Sequence, residues 1–231
     1  MPSTRRNTRN SSRSSKSEST AETLTDRAYT AIEELIVTLQ LAPGAAVSEQ
    51  MLAERLGIGR TPIREALQRL ARERLVTILP RRGVVVSAID VAAQLRLLEV
   101  RRELERLVAR GAARRATDAE RARFAELARA FERAGRTGDD KTFMRIDREF
   151  NELCLAAVKN EFAAGAMGLM NSLSRRFWFH HYKQAADMPE TAKLHADIAR
   201  AIAEGDEKGA GQALDRLLDN IQSFTRATVD V

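Results

Sequence analysis

The sequence has almost no cysteine and no long apolar run, and each absence excludes a class of protein. Cys154 is the only cysteine, so the chain can form no internal disulfide, which is typical of a protein in a reducing cytoplasm. No apolar run reaches the length of about 20 residues that crosses a membrane. The sequence also lacks a phosphate-binding glycine loop and the motif of a catalytic nucleophile. We therefore expect a cytoplasmic protein with no membrane partner.

Positive charge exceeds negative charge, and much of the excess lies near the N-terminus. The chain contains 38 lysines and arginines against 32 aspartates and glutamates, a net charge of +6, which indicates a polyanionic partner. The first residues are rich in Ser, Thr, Asn and Arg and contain no apolar run. They predict a disordered basic arm over residues 1–22 and not a secretory signal, because a signal needs an apolar core. Such an arm either touches phosphates or is a passive tail.

The segment 23–89 carries helix, turn and hairpin signals in a fixed order. A helix with one apolar face begins near Thr25 and ends at a Pro-Gly turn, and Ser48 then caps a second, short helix. Thr61 and Pro62 are typical of the N-cap and first position of a third helix. Two β-branched runs follow, separated by a Pro-Arg-Arg-Gly turn. This order predicts a winged helix-turn-helix of three helices and a β-hairpin wing.

The third predicted helix begins among arginines. Arg60 and Arg64 lie just before and within its first turn. That end of a helix already carries partial positive charge, so cations there are unfavourable unless an anion is bound. The pattern therefore indicates an anionic partner at this end of the helix.

The same segment resembles the N-terminal domain of the GntR family of bacterial transcription factors. The matching motifs are a Pro-Gly turn, an L-A-x-x-L-G helix, an R-T-P-V-R-E-A-L segment and a wing glycine, at Pro43-Gly44, Leu52 to Gly57, Arg60 to Leu67 and Gly83. One departure is Gly59, where the family usually has serine, which removes a possible hydroxyl contact to phosphate.

The resemblance implies that the third helix enters the major groove of double-stranded DNA, with its N-terminal residues at the base edges. Because the arginine fork matches O6 and N7 of guanine, we expect Arg60 or Arg64 to read a guanine. Gly83 at the wing tip would let the backbone approach the minor groove or a phosphate. The predicted DNA-contacting residues are Gln50, Arg60, Thr61, Arg64, Arg81, Arg82 and Gly83.

Residues 90–231 show helical patterns throughout and no strand-like alternation. Helix starts are indicated at Asp90, at the capping box that begins with Thr117, after the glycines 135–138, and at Asn160, Pro189 and Asp206. These starts predict an antiparallel bundle of about six helices. The expected fold class is therefore mainly α, with a winged helix-turn-helix followed by an all-α bundle.

Five polar residues interrupt the apolar stripes of this bundle. They are Arg101, Asp147, Asn151, His195 and Asn220, and they come from four predicted helices. Because buried polar groups need partners, we expect them to converge on one interior pocket that binds an effector. The alternative is a structural network in which these side chains satisfy one another.

The bundle sequence resembles the FCD effector domain of the FadR-type branch of the GntR family. In that domain an Asp and three His typically hold a divalent metal, which in turn holds a small carboxylate. The corresponding residues here are Asp147, Asn151, His195 and Asn220, so two family histidines are asparagines. Because amide oxygens bind zinc and nickel weakly, the resemblance implies a weak metal site or none at Asp147 and His195. We assign no firm cofactor and expect Arg101 to anchor the carboxylate.

Together these patterns predict a ligand-responsive transcription factor and not an enzyme. We expect a homodimeric repressor that binds a palindromic DNA operator and is switched by a small carboxylate metabolite. One alternative is an enzyme that uses the Asp147 and His195 pocket, and another is a non-specific architectural DNA-binding protein. The absence of nucleophile motifs argues against the enzyme, and the large bundle has no role in the architectural protein.

Overall fold

The computed structural model describes residues 22–185 and 187–228 of the chain. Residues 1–21, almost all of the expected basic arm, lie outside the described residues. In the described part the fold is mainly α, as the sequence predicts, and it comprises ten helices and three short strands. None of the described helices combines the length and the apolarity that a membrane span requires.

The N-terminal part forms a winged helix-turn-helix. Its elements are α1 (Leu24–Val37), β1 (Ala46–Val47), α2 (Glu49–Leu56), α3 (Arg60–Arg72), β2 (Val76–Leu79) and β3 (Gly83–Val86). The three strands form an antiparallel sheet in the order β1-β3-β2, with Leu79 opposite Gly83 at the wing. The sequence did not predict β1, because a two-residue strand is too short to show alternation.

Local capping defines the start and end of α2 as predicted. The Ser48 side chain accepts a hydrogen bond from the Met51 amide at 3.1 Å, and Gly57 closes the helix with a left-handed φ of 64°. Both are common devices for satisfying the free groups at helix ends. They fix the short turn that leads into α3.

The predicted start of α3 is wrong by two residues. Gly59 and not Thr61 is the N-cap, with extended backbone and no side-chain capping bond, and the Ile63 amide donates to the Gly59 carbonyl at 3.3 Å. Pro62 therefore occupies the third helical position, where its missing amide hydrogen costs nothing, because the first-turn amides have no intrahelical partner. The correction places Arg60 at the first position of the helix.

The C-terminal part is a bundle of seven described helices, where the sequence predicts about six. They are α4 (Val91–Arg115), α5 (Asp118–Thr137), α6 (Asp140–Ala157), α7 (Glu161–Gly168), α8 (Asn171–Ala185), α9 (Met188–Glu204) and α10 (Glu207–Ala227). The additional helix arises because the predicted fourth helix is broken. At the break Leu169 and Met170 donate to carbonyls only three residues earlier, which ends α7 before α8 begins.

Close packing explains a second difference from the expected boundaries. Helix α5 continues through Gly135 and ends only at Gly138, which has a left-handed φ of 64°. A side chain at Gly135 would come within 2.9 Å of the Ala192 side chain on α9. The first glycine therefore allows two helices to approach, and only the second one ends a helix.

Each part has its own apolar core, and α8 contacts both. The winged-helix core is built from buried residues of α1, α2, α3 and the sheet, and the bundle core from α4 to α7, α9 and α10. On α8, Leu173 packs against the winged-helix core, whereas Trp178 packs against the bundle core. Helix α8 is thus a structural connection between the two parts.

Candidate DNA-binding surface and ligand cavity

The first turn of α3 presents two exposed arginines that share one carboxylate. Arg64 donates from Nε and Nη2 to the two Glu49 oxygens, each at 2.8 Å, and Arg60 Nη2 lies 3.7 Å from Glu49 Oε2. The hydrogen bond from Arg64 is the main cause that lowers the pKa of Glu49 below its usual value. The carboxylate occupies one edge of the Arg64 guanidinium, so the opposite edge, with Nη1, remains available as a donor.

The remaining predicted DNA contacts are also exposed. Gln50 lies beside Glu49 at the start of α2 and donates to Glu54 Oε1 at 3.0 Å, and Thr61 lies at the second position of α3. Because Gly59 offers no capping side chain, the first amides of α3 are free for an anion. All seven predicted residues are exposed, which is compatible with DNA contact.

The tip of the wing is a tight turn with two positive φ angles. The Arg82 amide donates to the Leu79 carbonyl at 3.0 Å, Arg81 has a φ of 62° and Gly83 has a φ of 91°. A left-handed conformation is easy for glycine and unfavourable for arginine. The turn therefore holds Arg81 in a strained conformation at an exposed position.

A cavity of about 290 Å³ lies in the bundle and extends to the winged helix. Four predicted effector residues line it, namely Arg101, Asp147, Asn151 and His195. The lining also includes Tyr29, Glu33 and Arg69 of the winged helix and several residues of α8. Both parts of the molecule thus contribute to the cavity wall.

Asp147 is the centre of the polar cluster in this cavity. His195 Nε2 lies 3.2 Å from Asp147 Oδ1, and the Asn151 amide donates to the same oxygen at 3.2 Å. His195 Nδ1 lies 2.8 Å from the Thr191 carbonyl, which can only accept, so Nδ1 carries a proton. Asn220 does not line the cavity; it accepts from the Thr191 hydroxyl at 3.5 Å, so its predicted contact with an effector stays a prediction.

These residues do not fit a zinc or nickel site. Asp147 and His195 supply two ligands, whereas Asn151 directs its amide N–H at Asp147 and Asn220 lies off the cavity. In the described part of the chain no three His, Cys, Asp or Glu side chains are grouped to hold a metal ion. Tight binding of either metal usually needs three or four protein ligands.

Arg101 faces the cavity but is already paired. Its Nε donates to Glu105 Oε1 at 2.5 Å, and both side chains are mostly buried and line the cavity. A ligand carboxylate that binds Arg101 therefore has to share the guanidinium with Glu105. The planar guanidinium has enough donors for two carboxylates.

Tyr29 connects the winged helix to the cavity wall. Its hydroxyl donates to Glu73 Oε2 at 2.7 Å, and the Arg69 guanidinium lies 3.7 Å above its ring. Burial, followed by the bond to Glu73, raises the pKa of Tyr29 to about 12. Burial also raises the pKa of Glu73. The phenol therefore stays protonated and remains a hydrogen-bond donor.

Helix α8 binds the winged-helix part through two adjacent arginines. Arg175 donates to Glu33 at 2.8 Å and to Glu34 at 3.3 Å on α1. Arg176 donates to the carbonyls of Ser87 at 2.9 Å and Ala88 at 3.1 Å, in the connection that follows the wing. Burial lowers the pKa of Arg176, whose hydrogen-bond partners are these neutral carbonyls. Burying a cation is costly, so the net stabilisation from this contact is small.

The sequence did not identify Ser174 on α8 as a site residue, and it placed Trp178 only in the core or at a rim. Both line the cavity, and the Ser174 hydroxyl and the Trp178 indole N–H are buried without a hydrogen-bond partner. Their spacing of one helical turn was the available signal, because it places both on one face of α8. Without a structure, that face cannot be distinguished from ordinary core.

Taken together, a winged helix with exposed arginines at the start of its third helix and a helical bundle with a polar cavity indicate a DNA-binding transcriptional regulator. Comparison with protein families agrees with this class. Residues 24–86 match the model described as bacterial regulatory proteins of the gntR family, and residues 96–220 match the FCD domain. The chain belongs to the GntR family of transcriptional regulators and carries an FCD domain. This assignment excludes the enzyme that the sequence left as an alternative.

Relatives and solved structures agree with the family. The chain is 34% identical over 185 residues to an HTH-type regulator from an unstable DNA locus of Streptomyces ambofaciens, covering 77% of this chain and 75% of the relative. It is 24% identical over 198 residues to the repressor RspR of Escherichia coli, covering 86% and 87%. The solved structure of McbR/YncC of E. coli superposes with a TM-score of 0.75 at 21% identity, covering 90% and 99%, which supports the fold.

Proposed function

We propose that this protein is a cytoplasmic repressor that binds a palindromic operator as a homodimer and releases it when a small carboxylate enters the cavity. Residues 23–89 would bind DNA, residues 90–231 would bind the effector and dimerise, and residues 1–22 would be an accessory arm. The observation that carries the proposal is the dual role of α8, which lines the cavity and also holds the winged helix through Arg175 and Arg176.

The exposed residues at the start of α3 support specific DNA recognition. Arg64, aligned by Glu49, would donate to guanine from its free edge, while Arg60 and the free amides of α3 would bind phosphate. Gln50, Thr61, Arg81, Arg82 and Gly83 would complete the contact surface.

The proposed dimer and the proposed palindromic operator would match each other in symmetry. Two equivalent winged helices read two equivalent half-sites, so a two-fold dimer requires a two-fold operator. Val100 and Leu107 are 53% and 50% exposed and lie two turns apart on α4. An apolar stripe of this kind is a reasonable part of a dimer contact. The relative RspR is named a repressor, which favours repression here.

The cavity supports a small effector with a carboxylate. Arg101 would bind the carboxylate, and Asp147, Asn151 and His195 would bind hydroxyl or amide groups of the same ligand. Binding can switch the protein only if the ligand prefers one arrangement of the two parts. Movement of α8 would supply that preference, because the same helix contacts the ligand and the winged helix.

Selection of bound fragments from random DNA, followed by anisotropy titrations, tests the DNA-binding part. We expect a two-fold sequence and a large affinity ratio over random DNA that survives an increase in salt. Replacing both Arg60 and Arg64 with alanine should abolish this ratio, whereas Arg145→Ala, an exposed arginine on α6, should not. Equal binding to all fragments would instead indicate the architectural protein.

A further inference from the structure

Helix α8 holds every buried side-chain nitrogen or oxygen that lacks a partner in the described part of the chain. These atoms are Ser174 Oγ, Arg176 Nε, Trp178 Nε1, and Nδ1 and Nε2 of His181. Buried polar groups are normally hydrogen-bonded, so a concentration of free ones on one helix needs an explanation. Two of them, on Ser174 and Trp178, belong to residues that line the cavity.

The two cavity residues lie on one face of α8, and Trp178 is packed against other aromatic rings. Ser174 and Trp178 are four residues apart on α8, which places them on the same face of the helix. The Trp178 ring packs against Phe224 with centroids 5.1 Å apart and against Phe143 at 6.2 Å. The ring therefore has aromatic neighbours on two other helices, and its N–H is buried in the protein interior.

We propose that the Ser174 hydroxyl and the Trp178 indole N–H form a donor pair that binds an oxygen acceptor of the effector. The acceptor is a carboxylate or a carbonyl, because indole N–H can only donate. Phe143, Phe150 and Ile198 contribute apolar wall, so the ligand body is a compact aryl or alkyl group. The cavity volume of about 290 Å³ limits that body to a small molecule. This inference rests on the proposed effector role of the cavity.

The donor pair would also let the ligand contact α8, the helix that holds the winged helix, directly. Ser174 directly precedes Arg175 and Arg176, which contact α1 and the connection after the wing, respectively. A ligand that satisfies both free donors gains binding energy only in the position of α8 that presents them. Recognition and switching are thus assigned to the same turns of one helix.

Stability of the ligand-free protein provides the first test. Ser174→Ala and Trp178→Phe remove donors that make no hydrogen bond, so the melting temperature should stay unchanged or rise. Tyr29→Phe is the control, because it removes a partly buried hydroxyl that does bond to Glu73, and its melting temperature should fall. A clear fall for Ser174→Ala would overturn the proposal, since it would show that the hydroxyl has a structural partner.

Ligand binding provides the second test, and Trp178 is the only tryptophan of the chain, so its fluorescence reports on the cavity. The probes are benzoate, phenylacetate and hexanoate, together with the corresponding amides. Toluene is the control ligand, because it has an aryl group and no oxygen acceptor. We expect acids or amides to change Trp178 emission and raise the melting temperature, and toluene to do so much less. Ser174→Ala should weaken the best amide about threefold and the best acid about tenfold. Ser223→Ala, an exposed serine on α10, should change neither affinity.

The possible outcomes separate this inference from the proposed function. If acids bind and Arg101→Ala weakens them while Ser174→Ala and Trp178→Phe do not, the donor pair is wrong and the effector cavity stands. If no acid or amide changes the Trp178 emission or the melting temperature of the wild-type protein, the assigned class of ligand is wrong in both proposals. A stronger loss for acids than for amides assigns a carboxylate to the donor pair, and equal losses assign a carbonyl.

Discussion

At the residue scale, the central feature is the pairing of Arg64 with Glu49. A two-point contact with a carboxylate fixes the plane of a guanidinium, and a side chain that is already fixed loses less entropy when it binds a base. The acid also places negative charge close to the predicted path of DNA phosphates. If α3 binds DNA as proposed, Glu49 would therefore weaken the general attraction to DNA while it fixes the geometry of Arg64.

The first prediction concerns this pair. Glu49→Gln should raise affinity for random DNA, because it removes a negative charge, and should lower the preference for the operator by about tenfold. Anisotropy titrations on operator and random duplexes at two salt concentrations measure both effects. Glu54→Gln is the control, because it removes a charge from the same helix, but Glu54 bonds Gln50 instead of an arginine. An unchanged preference would mean that Arg64 does not depend on Glu49.

A second residue-scale prediction concerns His181. Burial, and to a lesser extent the charge of His180, lowers its pKa from the usual value. The unfolded chain then binds a proton more readily than the folded protein, so stability is complete above about pH 6.5 and falls as the pH drops through the lowered pKa. His181→Phe should flatten the fall in melting temperature between pH 7.5 and 5.5, whereas His180→Gln should largely keep it. Parallel curves of melting temperature against pH for the wild type and His181→Phe would show that His181 does not cause the fall.

At the scale of helices, small residues decide how closely elements approach. Gly135→Ala should lower the free energy of unfolding by about 1–3 kcal/mol, because the new methyl group meets Ala192 on α9 at 2.9 Å. Gly165→Ala on α7 meets nothing within 4 Å and should instead stabilise the protein by about 0.5–1 kcal/mol. Urea unfolding of both variants measures the difference. The same sign for both would show that local helix propensity outweighs packing.

The helices also show which features a sequence can predict. Ser48, Thr117, Asn160 and Asp206 all cap helices where the sequence places them, because capping depends on a few neighbouring residues. The N-cap of α3 at Gly59 was not predicted, because a glycine cap has no side chain to mark it. Features that depend on packing between distant segments leave no local pattern.

In the candidate site, too, the local features could be predicted and those that depend on distant packing could not. Arg101, Asp147, Asn151 and His195 could be predicted to face one cavity because each interrupts an apolar stripe. The free donors of Ser174 and Trp178 could not, because a missing partner is visible only when all neighbours are known. The displacement of Asn220 from the cavity also depends on how α9 and α10 pack.

At the scale of the whole molecule, the two parts meet along α8, and Arg176 joins this helix to the connection that follows β3. Arg176→Met keeps the length of the side chain and removes both bonds to the carbonyls of Ser87 and Ala88. We expect faster amide hydrogen exchange in residues 86–91 and a weaker effect of any cavity ligand on operator binding. Arg145→Met serves as the control on an exposed position. Unchanged exchange would mean that Arg176 does not hold this connection.

The contacts of α8 also determine how DNA-binding and effector domains can be exchanged between members of this family. A chimera joined near residue 90 inherits the connection after β3 from one parent and α8 from the other. Leu173, Arg175 and Arg176 would then face an unfamiliar winged helix, although the chain is joined at a natural boundary. A sensor built in this way should respond to its ligand only if those three residues are transplanted together with the DNA-binding segment.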